Sequence, residues 1–237
     1  MNDYWLYLSK SEMVVGRARG RRREATVLDT AECQMDGLGE FVGQRVPRGK
    51  RLYVWLSGGY CHYVTFPRPR WVFASRKLQM VAAKVFEQKT MLNAPDYAFS
   101  LQPSRSNLHV CAIRQLDMSN VLRAVGVRYQ VRTVAPLAPL VLDAYRRANK
   151  TSSCVLYESD SVTLARASKK SGLLLATTAG SSHASVLTRL LAAQADAPSG
   201  IEVVSAPSVQ TDLGLAEQSG LILNGWLKRH GSLQNHG

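Results

Sequence analysis

The chain has 237 residues, 46% of them hydrophobic, and a formal net charge of +13 from 30 Lys and Arg against 17 Asp and Glu. That length and apolar content support a real core in one large or two small domains, and they exclude wholesale disorder. No apolar run approaches the ~20 residues that a bilayer-spanning helix needs, and Met1-Asn2-Asp3-Tyr4-Trp5-Leu6 lacks the features of a secretion signal, so the sequence reads as cytoplasmic by default.

In chain order, Leu6–Ser9 and Met13–Arg19 alternate as adjacent strands, and Ala25–Ala31 follows as a third. A short helix is expected over Gly37–Gln44, then a strand over Arg51–Leu56. Ser57-Gly58-Gly59 reads as a hairpin turn into a strand over Tyr60–Phe66, which Pro67-Arg68-Pro69 ends. From Trp71 the texture changes. Leu78, Val81, Ala82, Val85 and Leu92 mark one face of a helix over 76–91, stopped by Asn93-Ala94-Pro95. Strands are expected over Tyr97–Leu101 and Leu108–Ile113. A helix capped by Asp117 and ended by Gly126 comes next. Tyr129–Val134 is a strand, and Pro136 opens a helix reaching Arg147. The second half holds strands within Cys154–Thr178, a helix from Ser182 to Gln194, a strand over Ile201–Ser205, a helix from Asp212 and a frayed tail over 231–237.

One pattern occurs twice. Met13–Leu28 and Ser161–Ala176 each run as an alternating strand, turn at small and basic residues, and return as a second strand. A duplicated hairpin opening two halves of one chain predicts a two-lobed α/β protein.

Chemical motifs are sparse. Cys33, Cys61, Cys111 and Cys154 are scattered with no C-x-x-C pair, so buried reduced thiols are expected rather than zinc ligands. His62 neighbours Cys61, but adjacent strand residues face opposite ways. His109 and His183 stand at no triad or metal spacing to an acid or cysteine. The tryptophans Trp5, Trp55, Trp71 and Trp226 read as core or interface residues. Asp160 reads as a solvated turn residue. Asp3, Glu12 and Asp29 are the first-lobe acids a two-metal nuclease would have to use, and none is central to the first strand.

The element order resembles the actin-like family of bacterial envelope machines, most of all the PilM proteins of type IV pili and the cytoplasmic domain of GspL in type II secretion. The passage that carries the likeness is strand 108–113, helix 117–125 with Gly126, and then Tyr129-Gln130-Val131-Arg132-Thr133-Val134-Ala135-Pro136. The resemblance implies an α/β fold of two ribonuclease-H-like (actin-like ATPase) lobes with a small inserted α+β subdomain. Its boundaries would be 1–70 for the first lobe, completed by 136–150; 71–135 for the insertion; and 151–230 for the second lobe, before the tail. Nucleotide-binding members carry Asp-x-Gly at the first turn of each lobe, where the Asp acts through Mg²⁺ and the Gly admits phosphate to backbone amides. The corresponding stretches here are Tyr7-Leu8-Ser9-Lys10 and Tyr157-Glu158-Ser159, and the adenosine-side Gly-Gly is replaced by Ser205-Ala206-Pro207.

The resemblance therefore implies a scaffold that is not an enzyme and carries no cofactor: a pseudo-ATPase of a pilus or secretion platform, peripheral at the cytoplasmic face of the inner membrane. Expected partners are a cytoplasmic segment of a membrane-anchored pilus or secretion subunit, the assembly ATPase and the membrane surface, with no nucleic acid. The groove between the first lobe and the insertion would hold the peptide. Helix 76–91 would wall it, with Arg76, Met80 and Lys84 facing away from the apolar stripe. Two alternatives stand beside this reading: an active actin-like ATPase with unorthodox loops, and a basic nucleic-acid-binding protein. The basic turns Arg21-Arg22-Arg23 and Lys169-Lys170 are expected to serve a membrane-proximal or protein interface.

Overall fold

The computed structural model describes residues 3–19, 24–69, 75–103, 106–141, 153–168, 172–179 and 202–205. The expected helices at 182–194 and from Asp212, the tail, and the basic stretches Arg21–Arg23, Arg146–Lys150 and Lys169-Lys170 lie outside them.

The first sheet is built on β1 (Asp3–Leu8), whose run Tyr4-Trp5-Leu6-Tyr7-Leu8 is buried throughout. A continuous apolar run of this kind marks a strand covered on both faces. Antiparallel β2 (Glu12–Arg19) and β3 (Glu24–Glu32) lie on one side of it, and parallel β4 (Arg51–Leu56) and β8 (Gln130–Pro136) on the other, in the order β3-β2-β1-β4-β8. Tyr4, Leu6 and Leu8 face a core shared with α1 (Leu38–Arg45) and α3 (Gln115–Val125). Trp5 and Tyr7 face the other way, onto α4, whose described part is 137–141, and onto second-lobe residues Cys154, Leu156 and Ala165. Trp5 lies opposite Gly16 on β2, beside a bulge at Val15/Gly16, and its indole fills the space a Cβ at Gly16 would need.

The second sheet repeats this plan. β9 (Ser153–Tyr157), β10 (Ser161–Ser168) and β11 (Gly172–Ala179) are consecutive antiparallel strands. β12 (Glu202–Ser205) lies parallel to β9, in the order β11-β10-β9-β12. The two hairpins read as a repeat, β2–β3 and β10–β11, occupy the same place in their sheets. Even the turns match: Ser9 N–H donates to Glu12 O and Glu158 N–H to Ser161 O, each at 2.9 Å. The register sets Ser9 against Glu158, one residue later than aligning Tyr7 with Tyr157 suggests.

The third sheet, β5 (Cys61–Pro67), β7 (Asn107–Arg114) and β6 (Tyr97–Pro103), is antiparallel in the order β5-β7-β6. Helix α2 (Ser75–Thr90) covers one face of it, burying Ala82 and Phe86 against Val64, Phe66, Leu108, Val110 and Ala112. Phe86 stacks edge-on with Phe99 and His62, so His62 serves the α2 face while Cys61 is buried on the other.

Four expectations need correcting. The insertion's sheet begins at Cys61, not near 71, because β5 pairs with β7 and not with β4; Ser57-Gly58-Gly59 is thus a crossover between sheets and not a hairpin turn. At the other end, β8 belongs to the first-lobe sheet and α3 to the first-lobe core, so both leave the proposed 71–135 segment. Helix α3 starts at Gln115, which places Asp117 inside the first turn rather than at the cap. There its charge still favours the helix dipole.

Candidate functional site

The C-terminal ends of β1 and β4 meet the first turn of the second lobe. Ser57 N–H donates to Leu8 O at 2.8 Å, which extends the β1–β4 ladder by one bond and fixes the Gly58 amide beside it. On the facing side, the Glu158–Ser161 turn carries two carboxylates into this seam. Gly58 N–H donates to Glu158 Oε2 at 2.8 Å, and the Tyr7 hydroxyl donates to Oε1 at 3.3 Å. Lys10 N–H donates to Asp160 Oδ2 at 2.7 Å, and the Ser57 hydroxyl reaches the same oxygen at 2.8 Å. The Ser161 hydroxyl lies 3.1 Å from Glu158 Oε2 and 3.0 Å from Asp160 Oδ1. Ser9 Oγ, which accepts from Glu12 N–H at 2.9 Å, sits 2.7 Å from Ser159 Oγ.

The seam is built like an anion site, with carboxyl groups of the chain itself as the acceptors. Backbone amides at the ends of two first-lobe strands, Lys10 after β1 and Gly58 after β4, point at second-lobe carboxyl oxygens where a phosphate would otherwise accept them. Gly58 and Gly59 make the approach feasible, since a Cβ at Gly59 would overlap the Asp160 carboxylate, and one at Gly58 would lie 2.5 Å from Thr163 Oγ1. Asp160 is thus not a solvated turn residue. Ser57-Gly58-Gly59, expected as a hairpin turn, is a cradle that holds the Glu158 carboxyl. Nothing in the sequence around position 58 announces a partner 100 residues away.

Glu158 is wholly buried. Burial, more than any neighbour, pushes its carboxyl up to about 8, and the nearby Asp160 charge adds to the rise; the Gly58 amide, Ser161 and Tyr7 oppose it. The Tyr7 hydroxyl is likewise driven well above its ordinary value, by burial first and the Glu158 charge second. No group of three or more His, Cys, Asp and Glu able to hold a metal ion occurs among the described residues.

A second feature lies beside the seam. A cavity of about 170 Å³ lies between the face of the third sheet opposite α2, the first lobe and β11 of the second lobe. One wall consists of two cross-strand rows, Tyr63–Cys111–Ser100 and Thr65–His109–Gln102. The other is apolar: Ala135 and Pro136 of β8, Pro139 and Leu140 of α4, and Leu175 of β11. Thr65 Oγ1 and His109 Nδ1 are 3.1 Å apart, and burial lowers the His109 pKa, which favours the neutral ring. The cavity is below the ~300–1,000 Å³ of typical small-molecule pockets and suits one or two side chains of an extended segment.

Arg76, Met80 and Lys84 form a single exposed stripe on α2, with Met80 66% exposed. The structure does not bring them to this cavity, because α2 covers the opposite face of the third sheet. Of the cysteines, Cys61 and Cys154 are buried and Cys33 and Cys111 half-buried, all as free thiols.

Two ribonuclease-H-like sheets of matching strand order, joined at their first turns and carrying a small α+β insertion, define the actin-like fold. Solved structures bear this out. The cytoplasmic domain of EpsL, an inner-membrane component of the type II secretion system of Vibrio cholerae, superposes with a TM-score of 0.64 at 17% identity, over 100% of this chain and 97% of that one. A Bacteroides thetaiotaomicron protein with an actin-like ATPase fold gives 0.60 at 9% identity, over 95% and 88%. The PilM–PilN type IV pilus biogenesis complex gives 0.58 at 13%, over 94% and 71%. No family profile matches the sequence, and no curated protein matches it. No helix among the described residues is long and apolar enough to cross a membrane.

Proposed function

We propose that this chain is a non-catalytic actin-like scaffold of a type IV pilus or type II secretion assembly platform, working at the cytoplasmic face of the inner membrane. The observation that carries the non-catalytic part is the seam: the Lys10 and Gly58 amides already donate to Asp160 and Glu158. A nucleotide would have to displace both carboxyl groups, break the buried Gly58–Glu158 bond, and bring its own negative charge beside Asp160. Like charges at such range disfavour one another strongly.

The binding part rests on the cavity and on the kinship in fold with EpsL and with PilM in its complex with PilN. A cytoplasmic segment of a membrane-anchored subunit would lay apolar side chains against Pro136, Pro139 and Leu140 and hydrogen-bond to Ser100 and Gln102. The Arg76–Met80–Lys84 stripe offers a separate contact for a second partner such as the assembly ATPase. A photo-crosslinking amino acid at position 102, in cells expressing the chain at native level, tests the reading. An inner-membrane protein captured through a short cytoplasmic segment is expected. Capture of soluble proteins alone would contradict it.

A further inference from the structure

Away from the seam, the first lobe ends in two adjacent loops. The α1–β4 loop is Val46-Pro47-Arg48-Gly49-Lys50, and the α3–β8 loop is Gly126-Val127-Arg128-Tyr129. Three bonds tie them together: Gly49 N–H to Arg128 O at 2.9 Å, Gln130 N–H to Lys50 O at 3.0 Å, and the Tyr129 hydroxyl to Val46 O at 3.2 Å. The Arg128 guanidinium lies over α1, where a Cβ built on Gly43 would sit 3.2 Å from Nη1. Arg45, Arg48, Lys50, Arg123 and Arg128 are all exposed here, and neither loop contains an acid. Asp29, the acid on β3 nearest Arg45, is already engaged by it at 2.9 Å.

Among these cations stand bare aliphatic side chains. Val127 is 90% exposed and Leu122 41%, and Pro47 is exposed on the neighbouring loop. Tyr129, the aromatic residue of the two loops, is buried. We propose that this end of the first lobe docks on an anionic lipid bilayer, with Val127 and Leu122 at the headgroup–acyl boundary and the surrounding Lys and Arg on lipid phosphates. Cations ringing an aliphatic tip match an interfacial anchor, because each term adds to the other. Long basic side chains bury their stems while their heads stay with the phosphates. A groove for single-stranded nucleic acid would instead present exposed aromatic rings for stacking.

The orientation that follows deepens the membrane-proximal part of the proposed function, though it stands on this surface alone. β8 leaves the docking loop at Gln130 and ends at Pro136 in the cavity wall. Seven residues of strand span about 20 Å. A subunit's cytoplasmic segment would need to extend that far from the bilayer to reach the cavity, or at least about six residues.

Flotation of the full chain with vesicles tests the surface, using phosphatidylcholine alone or with ~30% phosphatidylglycerol at ~0.15 M salt. Binding only to the anionic vesicles is expected. Arg48→Gln with Lys50→Gln should weaken it about 25-fold, near fivefold per cation, and Val127→Asp about fivefold or more. Arg76→Gln with Lys84→Gln removes the same charge from α2 and should change binding less than about twofold. Unaltered far-UV spectra and thermal midpoints would certify the variants' folds. No preference for anionic vesicles, equal losses in the two double variants, or duplex DNA bound more tightly than vesicles through Arg48 and Lys50 would each overturn the proposal. The crosslinking at position 102 reads protein partners and not lipid, so the two ideas fail separately.

Discussion

Gly58 N–H donates to Glu158 Oε2 at 2.8 Å, a bond between the crossover that follows β4 and the first turn of the second lobe. Together with Lys10–Asp160 it makes the seam between lobes a set of bonds from amides to carboxyl groups. These bonds join the two lobes, and each can be tested.

Glu158 should make the protein less stable as pH rises. Unfolded, its carboxyl releases the proton near 4.5; folded, it holds it to about 8. Between those values the folded state binds one proton more, so stability is full below pH 4.5 and is lost as pH climbs through 8. At about 1.4 kcal/mol per pH unit, the loss could reach about 5 kcal/mol. Glu158→Gln keeps an acceptor for Gly58 without the titration. Its thermal midpoint should overtake the wild type's by pH 9 and show a flatter pH profile between 5 and 9. Parallel profiles would mean that Glu158 is ionised throughout.

Asp160→Ala leaves the Lys10 amide and Ser57 hydroxyl without their acceptor. Bonds to a charged acceptor contribute about 1.5–3 kcal/mol each when buried, and the half-open seam reduces that. A loss of about 2 kcal/mol in denaturant titration is expected, with proteolysis between the lobes faster than in the wild type.

Gly16→Ala drives a methyl into the Trp5 indole, itself buried between β2 and the second lobe. Neither strand can yield without disturbing the β-bulge at Val15/Gly16. About 2–3 kcal/mol of destabilisation should follow, read as a lower denaturation midpoint and altered tryptophan fluorescence.

Filling the cavity should abolish partner capture without unfolding the chain. Ser100→Trp places a large ring from the β6 wall towards Pro136 and Leu140. The crosslinked inner-membrane protein should disappear while the thermal midpoint shifts by less than about 3 °C. Undiminished capture would move the partner elsewhere, with the exposed stripe of α2 next in line.

Much of the architecture was legible because it is local. The alternation of β2, β3, β10 and β11 and the stripe of α2 predict those elements and the lobe duplication. The seam was not legible, since Gly58-Gly59 looks like any tight turn until Asp160 is brought against it. The sequence signal was there in part: two acids, Glu158 and Asp160, stand in one short turn. The insertion boundary was missed for a similar reason. β5 alternates whichever sheet it joins, and only its register with β7 decides. The wall assigned to α2 failed because amphipathicity shows that a helix covers a sheet, not which face it covers.

Isothermal titration of the full chain with ATP and Mg²⁺ tests the closed seam most directly. With Lys10 and Gly58 amides committed to Asp160 and Glu158, no saturable heat is expected up to millimolar nucleotide. A dissociation constant tighter than about 100 μM, roughly −5.5 kcal/mol, would show that the carboxylates yield to phosphate and would contradict the scaffold reading.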